Sequence, residues 1–475
     1  MDERDRTEDA SDRRGFLTLL GALGVTGLAG CGGDGDGTPT DADGNGTGDG
    51  TDTAGTTTPG DTTAPSDTTT QPPTSSPEET ETPTPTMTPR EPEFVPLFDA
   101  DSIEASDWHK VHGGSSFEVR DGTLVGISSS SGDNGFVTTY KLFDDFELKS
   151  EVWVDPEGLN SAIQVHSHTR QGKQHPYGPH PEVELSGDAA QMQPGGQAGY
   201  IYGEKLGTGW MREDGGDAPT HDVWNNDEWN DYRILAEGSR LQTFINGEQI
   251  EDLDLEEFSD VDGLMQMGGI ALQVHSIDVD GREVKWRNME IKELDVAEWD
   301  RPFNGRNTEG WTNPLGRGDV SVSDGELQLS GDDMFFLLTE ASYEDFVFDT
   351  WVNAGAKGGL LFRSPDNAIG GYRAEIDPTE DALSGSLYNA SDGEWLKSID
   401  GESHSQMAYD PGGWNYYRVV ADGNKMRVWV NGITTAEVSD DTNSAGGIGL
   451  QHRGGDGTIR FRDLEVKTIE AGTLN

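Results

Sequence analysis

Three short segments of the chain carry side chains able to move protons or hold a ligand, at a spacing that matters only if each is a β-strand. In Ile163-Gln164-Val165-His166-Ser167-His168, apolar residues alternate with an amide and two imidazoles. Glu182-Val183-Glu184-Leu185 alternates carboxylates with aliphatics, and Gln273-Val274-His275 sets an amide two residues from an imidazole. On an extended strand, residues i and i+2 share a face. The pattern therefore predicts Gln164, His166 and His168 together, Glu182 with Glu184, and Gln273 with His275. If the three strands are neighbours, one cleft gathers imidazoles and carboxylates, the groups that do general acid and base work or ligate a divalent cation. The solvent-facing sheet of an acidic protein is the alternative reading of the same alternation.

Composition narrows what such a cleft acts on. The chain has 475 residues and a formal net charge of −55, which repels phosphate backbones and makes nucleic acid an unexpected partner. So many solvated carboxylates suit strong brine, where a short Debye length mutes self-repulsion, so a halophilic setting is expected. A single cysteine excludes an intramolecular disulfide and a multi-thiolate metal site. A divalent cation such as Ca²⁺ is compatible with the abundant carboxylates, with no ligand set indicated.

The first 31 residues read as an address rather than as fold. Arg13-Arg14 precedes an apolar run that ends at Leu28-Ala29-Gly30-Cys31 and is shorter than the roughly 20 residues a bilayer span needs. This is the pattern of a twin-arginine export signal with a lipobox, which makes Cys31 the lipid attachment site and predicts an exported protein anchored to the outer face of the cytoplasmic membrane. Residues 32–92 are almost devoid of hydrophobes and read as a disordered Thr/Asp/Pro/Gly-rich linker. Asn45-Gly46-Thr47 and Asn389-Ala390-Ser391 are glycosylation sequons.

From Phe94 onward the chain repeats itself. Trp229-Asn230 and Asn246-Gly247 return as Trp414-Asn415 and Asn431-Gly432, and Gly269-Ile270-Ala271-Leu272-Gln273 returns as Gly447-Ile448-Gly449-Leu450-Gln451. Asn-Gly between alternating segments signals a two-residue hairpin. Long helical periodicity is absent, so two tandem all-β sandwiches are expected, at 93–296 and 297–470. Aligning the copies puts Arg363 at His166, Arg373 at Glu182 and Arg453 at His275. Arginine stays protonated and serves neither as general base nor as metal ligand. On this reading at most the first copy reacts by such chemistry, while the second binds or braces.

Phe98 and Trp108, Asp121-Gly122, Asp145-Phe146, Asn160-Ser161, Trp229-Asn230, Asn246-Gly247, Gly269-Ile270-x-Leu272-Gln273-x-His275 and Arg287-Asn288-x-x-Ile291 together resemble the 3-keto-disaccharide hydrolase domain family. The resemblance implies a concanavalin A-like jelly roll in each copy and cleavage of glycosides whose sugar has been oxidised to a ketone at C3. Such a ketone acidifies the C2 proton. A base removes it, the aglycone leaves from C1, and water adds to the enone. For that chemistry the paired polar residues make Glu182 or His166 the candidate base, with Glu184 and His275 completing the catalytic set by binding, together with Gln273, sugar oxygens or a divalent cation. Asn160, Gln273, Trp229 and Tyr202 are candidate substrate contacts, and a sugar oxidoreductase is the expected upstream partner. Two other readings stay open. A retaining β-glucanase would need two carboxyl groups about 5–5.5 Å apart, whereas the stretch Glu182 to Asp188 lacks the Glu-x-Asp-x-(x)-Glu pattern. A pair of lectin-like modules would need only contacts such as Trp229, Trp414, Asn160 and Tyr388.

Overall fold

The computed structural model describes residues 91–474 apart from 131–132, 172–182, 192–195, 205, 213–215, 262–263, 366–369, 380–381 and 407, and it describes the backbone alone at 112, 170–171, 183–190 and 403–404. The export segment with Cys31, the linker up to residue 90, and Glu182 lie outside the described residues.

Two antiparallel sheets form each copy. In the first, the front sheet runs Glu248–Asp254, Arg240–Ile245, Asn230–Glu237, Phe146–Val154, Glu283–Glu293, Thr123–Ile127, Ser116–Arg120, with Val95–Pro96 beside Glu283–Glu293. Its back sheet runs Gly209–Trp210, Ile201–Glu204, Val183–Gln191, Ser161–Gln171, Gly269–Val274, Gly135–Thr139, Trp108–His112. The second copy repeats both orders strand for strand. Its back sheet is Glu394–Lys397, Leu387–Asn389, Tyr372–Ile376, Gly358–Ser364, Gly447–His452, Phe335–Thr339, Trp311–Thr312, and its front sheet runs from Ile433–Ser439 to Asp319–Ser323. Among the described residues, helix is confined to a 3-10 turn at Leu255–Phe258 and one α turn at Ser403–Gln406, and no helix is long and apolar enough to cross a membrane. The fold is the expected pair of all-β jelly rolls.

Alternation decides which face each strand buries. Ile163, Val165, Leu272, Val274 and Trp286 meet in the core of the first copy, and Leu360, Phe362, Tyr372, Leu450 and Phe461 in that of the second. Each such side chain contributes roughly 1.5–3 kcal/mol on leaving water. The hairpins form as the Asn-Gly pairs require. Asn246 and Gly247 have φ of 50° and 85°, and Asn431 and Gly432 have 47° and 77°, so both turns are type I′.

The recurring Trp-Asn pairs have a structural task. Asn230 Oδ1 accepts from Asn246 Nδ2 at 2.9 Å, and Asn246 Nδ2 also reaches the Val223 carbonyl at 2.9 Å. Asn415 and Asn431 repeat this at 2.8 Å, with Asn431 donating to the Ala408 carbonyl at 2.7 Å. Each knot ties a hairpin to the loop before the neighbouring strand. The sequon asparagine Asn389 is fully buried, donating to Asp392 at 2.9 Å and Thr442 at 3.3 Å, so it offers no amide for a glycan.

The two copies are packed against each other. A parallel bridge pairs Ile433 with Thr169, and Leu142, Met265 and Met267 cover Val347, Tyr416, Val420 and Trp429 on the outer face of the second front sheet. Arg418, buried in this contact, donates to Asp144 at 2.5 Å and to Asp349 at 2.7 and 2.8 Å. Lys467 adds a contact to Asp295 at 2.9 Å. Burial alone would raise the Asp144 carboxyl, but Arg418 and Lys467 together hold it below the usual aspartate value.

Candidate functional site

The sequence places His166 beside Gln164, and the structure corrects this. A bulge between Val165 and His168 gives His166 a φ of 48°, and its ring packs 5.9 Å from the core ring of Phe146 with 2% exposure. Arg363 has the same φ of 48° in the matching bulge. There its guanidinium donates to the Glu344 carbonyl at 2.9 and 2.7 Å, to the Gly423 carbonyl at 2.7 Å and to Asp345 at 3.1 Å, closing loops from inside. A ring turned into the core against Phe146 is no base for an external substrate. His168 is buried too, 6.0 Å from Trp429 of the second copy. Trp229 is also displaced from the expected cleft, lying on the front sheet under the Arg287 guanidinium at 4.0 Å, as Trp414 does under Arg462 at 4.3 Å. Glu184 sits on Val183–Gln191 opposite Arg170, with its backbone alone described.

The outer face of the first back sheet gathers the remaining expected residues. Gln273 pairs with Ala162, which pairs with Gln191, and Gln164 pairs with Ala271, so these positions share the face opposite the core. Asn160 and His275 extend the same rows, the His275 N–H donating to the Asn160 carbonyl at 3.2 Å. The Asn160 amide donates to Gln191 Oε1 at 3.3 Å, and His275 Nδ1 lies 2.9 Å from the Ser276 carbonyl. Tyr202 and Trp210, paired in register on the next two strands, meet edge to face at 5.5 Å. Gln164 is fully buried and neither atom of its amide meets a partner. Leaving it so costs about 1–3 kcal/mol.

The matching face of the second copy is charged. Register equates Leu361 with Gln164, Gln451 with Gln273, Glu375 with Gln191 and Arg373 with Ala189. Glu375 is 1% exposed, and its two oxygens accept from Arg373 at 2.9 Å and Arg453 at 2.5 Å. The Arg373 guanidinium lies 4.5 Å over Tyr388, which meets Trp395 edge to face at 5.1 Å. Tyr388 and Trp395 are thus the counterparts of Tyr202 and Trp210. Gly359 makes room for Arg373, since a Cβ there would sit 2.4 Å from its Cγ. Lys357 pairs with Asp377 at 2.9 Å. Burial raises the Asp377 carboxyl, but Thr379 and Lys357 outweigh it and hold the group below the usual value. Beside Arg453 a hollow of about 380 Å³ opens, lined by Lys357, Pro378, Thr379 and Asp456 among others.

The alignment of Arg373 with Glu182 is therefore replaced by one of Arg373 with Ala189. The carboxylate of Glu375 belongs to the second copy, and the first has the amide of Gln191 in its place. A sequence signal exists for this. Ala190-Gln191-Met192-Gln193-Pro194 mirrors Ala374-Glu375-Ile376-Asp377-Pro378, with amide for carboxylate at both acidic positions. Glu375, Trp395, Gln191 and Trp210 are the residues that sequence reasoning missed. Among the described residues, no group of three or more His, Cys, Asp or Glu side chains is arranged to hold a metal ion.

Comparison with known proteins adds a family. The model of a family described as 3-keto-alpha-glucoside-1,2-lyase-like domain matches residues 93–292 and again 298–467. Among solved structures, the carbohydrate binding module CBM66 from Bacillus subtilis is 21% identical over 34% of this chain and 96% of its own, with a TM-score of 0.28. The Bacillus licheniformis beta-glucanase is 13% identical over 36% of this chain and 97% of its own, also at 0.28. No curated protein matches the chain.

Proposed function

Because the chain belongs to the 3-keto-alpha-glucoside-1,2-lyase-like domain family through both of its jelly rolls, we propose that it is a carbohydrate-active protein that cleaves 3-keto-glycosides, and that the second jelly roll is where it does so. The observation that carries this is Glu375, a carboxylate on the outer face of the back sheet with a guanidinium at each oxygen. Each carboxylate oxygen has two lone pairs, so the arginines leave acceptor capacity for a proton. Glu375 takes the C2 proton of the keto-sugar. The electron pair moves toward C3, whose oxygen becomes negative and is held by Arg453 or Arg373. The C1–O bond then breaks as C1=C2 forms and the aglycone oxygen takes a proton. Water adds across that double bond, OH at C1 and H at C2, and restores the 3-keto sugar. Tyr388 and Trp395 offer ring faces and edges to the pyranose.

Glu375→Gln is expected to lower turnover of a 3-keto-glucoside about a thousandfold, within the range of a general base. Turnover within a few fold of wild type would remove Glu375 from the role. A chelator arm in the same assay tests the divalent cation expected from composition.

A second reading draws on one specific pattern. Glu375-Ile376-Asp377-Pro378-Thr379-Glu380 has the Glu-x-Asp-x-x-Glu spacing of a retaining glycosidase, with Glu380 outside the described residues. Hydrolysis of a glycoside that carries no ketone, lost in Glu375→Gln, favours this reading over elimination.

The setting proposed for the reaction is the outer face of the membrane, with Cys31 as lipid anchor and a sugar oxidoreductase supplying the ketone. Cys31→Ser is expected to release the protein from the membrane fraction into the medium.

A further inference from the structure

The two faces keep the same aromatic pair and one amide, Gln273 and its counterpart Gln451, and differ at the other polar positions compared above. Tyr202 opposes Trp210 as Tyr388 opposes Trp395, edge to face at 5.5 and 5.1 Å, each pair on the last two strands at one edge of its back sheet. On the face that carries that pair, the second copy places Glu375, Arg453 and Lys357 farther along the strands, where the first places Gln191, His275 and Asn160. Gln164, nine-tenths buried and more, stands on the same face with both amide atoms unpartnered, where the second copy has the apolar Leu361. A primary amide donates and accepts without charge, as a sugar hydroxyl does. A row of amides on the same face as half-exposed aromatic rings is therefore matched to hydroxyls and pyranose faces, and its amides bring no positive charge of the kind Arg373 and Arg453 would bring to a carboxylate or sulfate group.

We infer that the outer face of the first back sheet is a second saccharide site that binds neutral, hydroxyl-only sugar chains without cleaving them. It does not depend on the chemistry assigned to the second copy. Tyr202 and Trp210 give the stacking surface. Asn160, Gln191 and His275 bond hydroxyls, with Asn160 releasing the 3.3 Å contact to Gln191 to do so.

The test uses the full chain and cellohexaose or maltohexaose, neutral probes that carry no ketone and so are not substrates for elimination. Wild-type protein is expected to bind one of them by titration calorimetry, with affinity unchanged between about 0.1 and 2 M salt because no charge pair forms. Tyr202→Ala and Trp210→Ala are each expected to weaken binding about tenfold or more, and Trp210→Phe to restore most of it. A thermal melt of each variant identifies loss of fold. No binding of either probe to wild type, or binding equal in wild type, Tyr202→Ala and Trp210→Ala, overturns the site. An oligogalacturonate bound as tightly as the neutral probe overturns the ligand class. Absence of 3-keto-glucoside turnover leaves every one of these results standing, so the two proposals fail separately.

Discussion

At the scale of single residues, backbone conformation separates the positions that hold ligand chemistry from those that hold the fold. His166 and Arg363 share a left-handed conformation in one bulge and fill the same interior niche, one by a ring contact and the other by donating to four carbonyl or carboxylate groups. An i, i+2 count cannot register a bulge, so alternation assigned His166 to the wrong face. The same count was sound for Gln164 and Gln273, whose strands run unbroken through those positions, and for His275, which follows the last residue of its strand. Gly359 shows how closely the charged face is fitted. Gly359→Ala puts a methyl within 2.4 Å of Arg373 Cγ and within 2.5 Å of its Cδ. Displacing that side chain breaks its contact to Glu375, so turnover of the keto-glucoside is expected to fall while unfolding free energy drops by only about 1–3 kcal/mol, as overpacking costs. A variant with normal turnover would mean that Arg373 does not position Glu375.

Strand pairing and hairpins were the most legible level. Asn-Gly at both hairpins, the alternation over Phe146–Val154 and the repeat of whole motifs at matching separations all come from short-range physics that a sequence displays directly. The pairing of Gln191 with Ala162 was not legible, because it depends on how far the chain after Ser161–Gln171 runs before it returns, and hairpin length is not written in alternation. The Asn knots yield a graded prediction at this scale. Asn431 is fully buried and bonded to Ala408, Asn415 and the Tyr416 N–H, whereas Asn246 makes the same set from an exposed position. Asn431→Ala strands buried groups and forces alanine to a φ of 47°, and a loss of about 2–4 kcal/mol is expected in urea unfolding. Asn246→Ala is expected to cost about half as much, since water replaces its partners.

Across the whole molecule, charge does opposite things inside and outside. The net charge of −55 is spread over solvated carboxylates, and raising salt from about 0.1 to 2 M is expected to raise the unfolding midpoint as their repulsion is screened. Arg418 between Asp144 and Asp349 is sheltered from that screening. Arg418→Met removes one member of a buried group and is expected to cost about 3–5 kcal/mol, and to let the two copies melt in separate transitions. Asp144, held below its ordinary 3.8 by Arg418 and Lys467 against the effect of burial, contributes stability that is complete above the unfolded value and disappears as pH falls through the folded one. Burial raises Asp349 and Asp295, whose contributions have the reverse sign, present at low pH and lost as pH rises through their folded values. The acid limb of a stability profile below about pH 4 should therefore be shallower in Asp144→Asn, and an unchanged limb would assign acid unfolding to other carboxylates.

The bridge from Ile433 to Thr169 and the apolar contact beside it have a consequence for how the gene can change. Each half supplies only part of that seam. A second half made alone presents Trp429, Tyr416 and an open strand edge to water, an invitation to clump. Recombination that exchanges loops around either back sheet leaves the seam whole, whereas a half dealt out as a separate card is expected to aggregate.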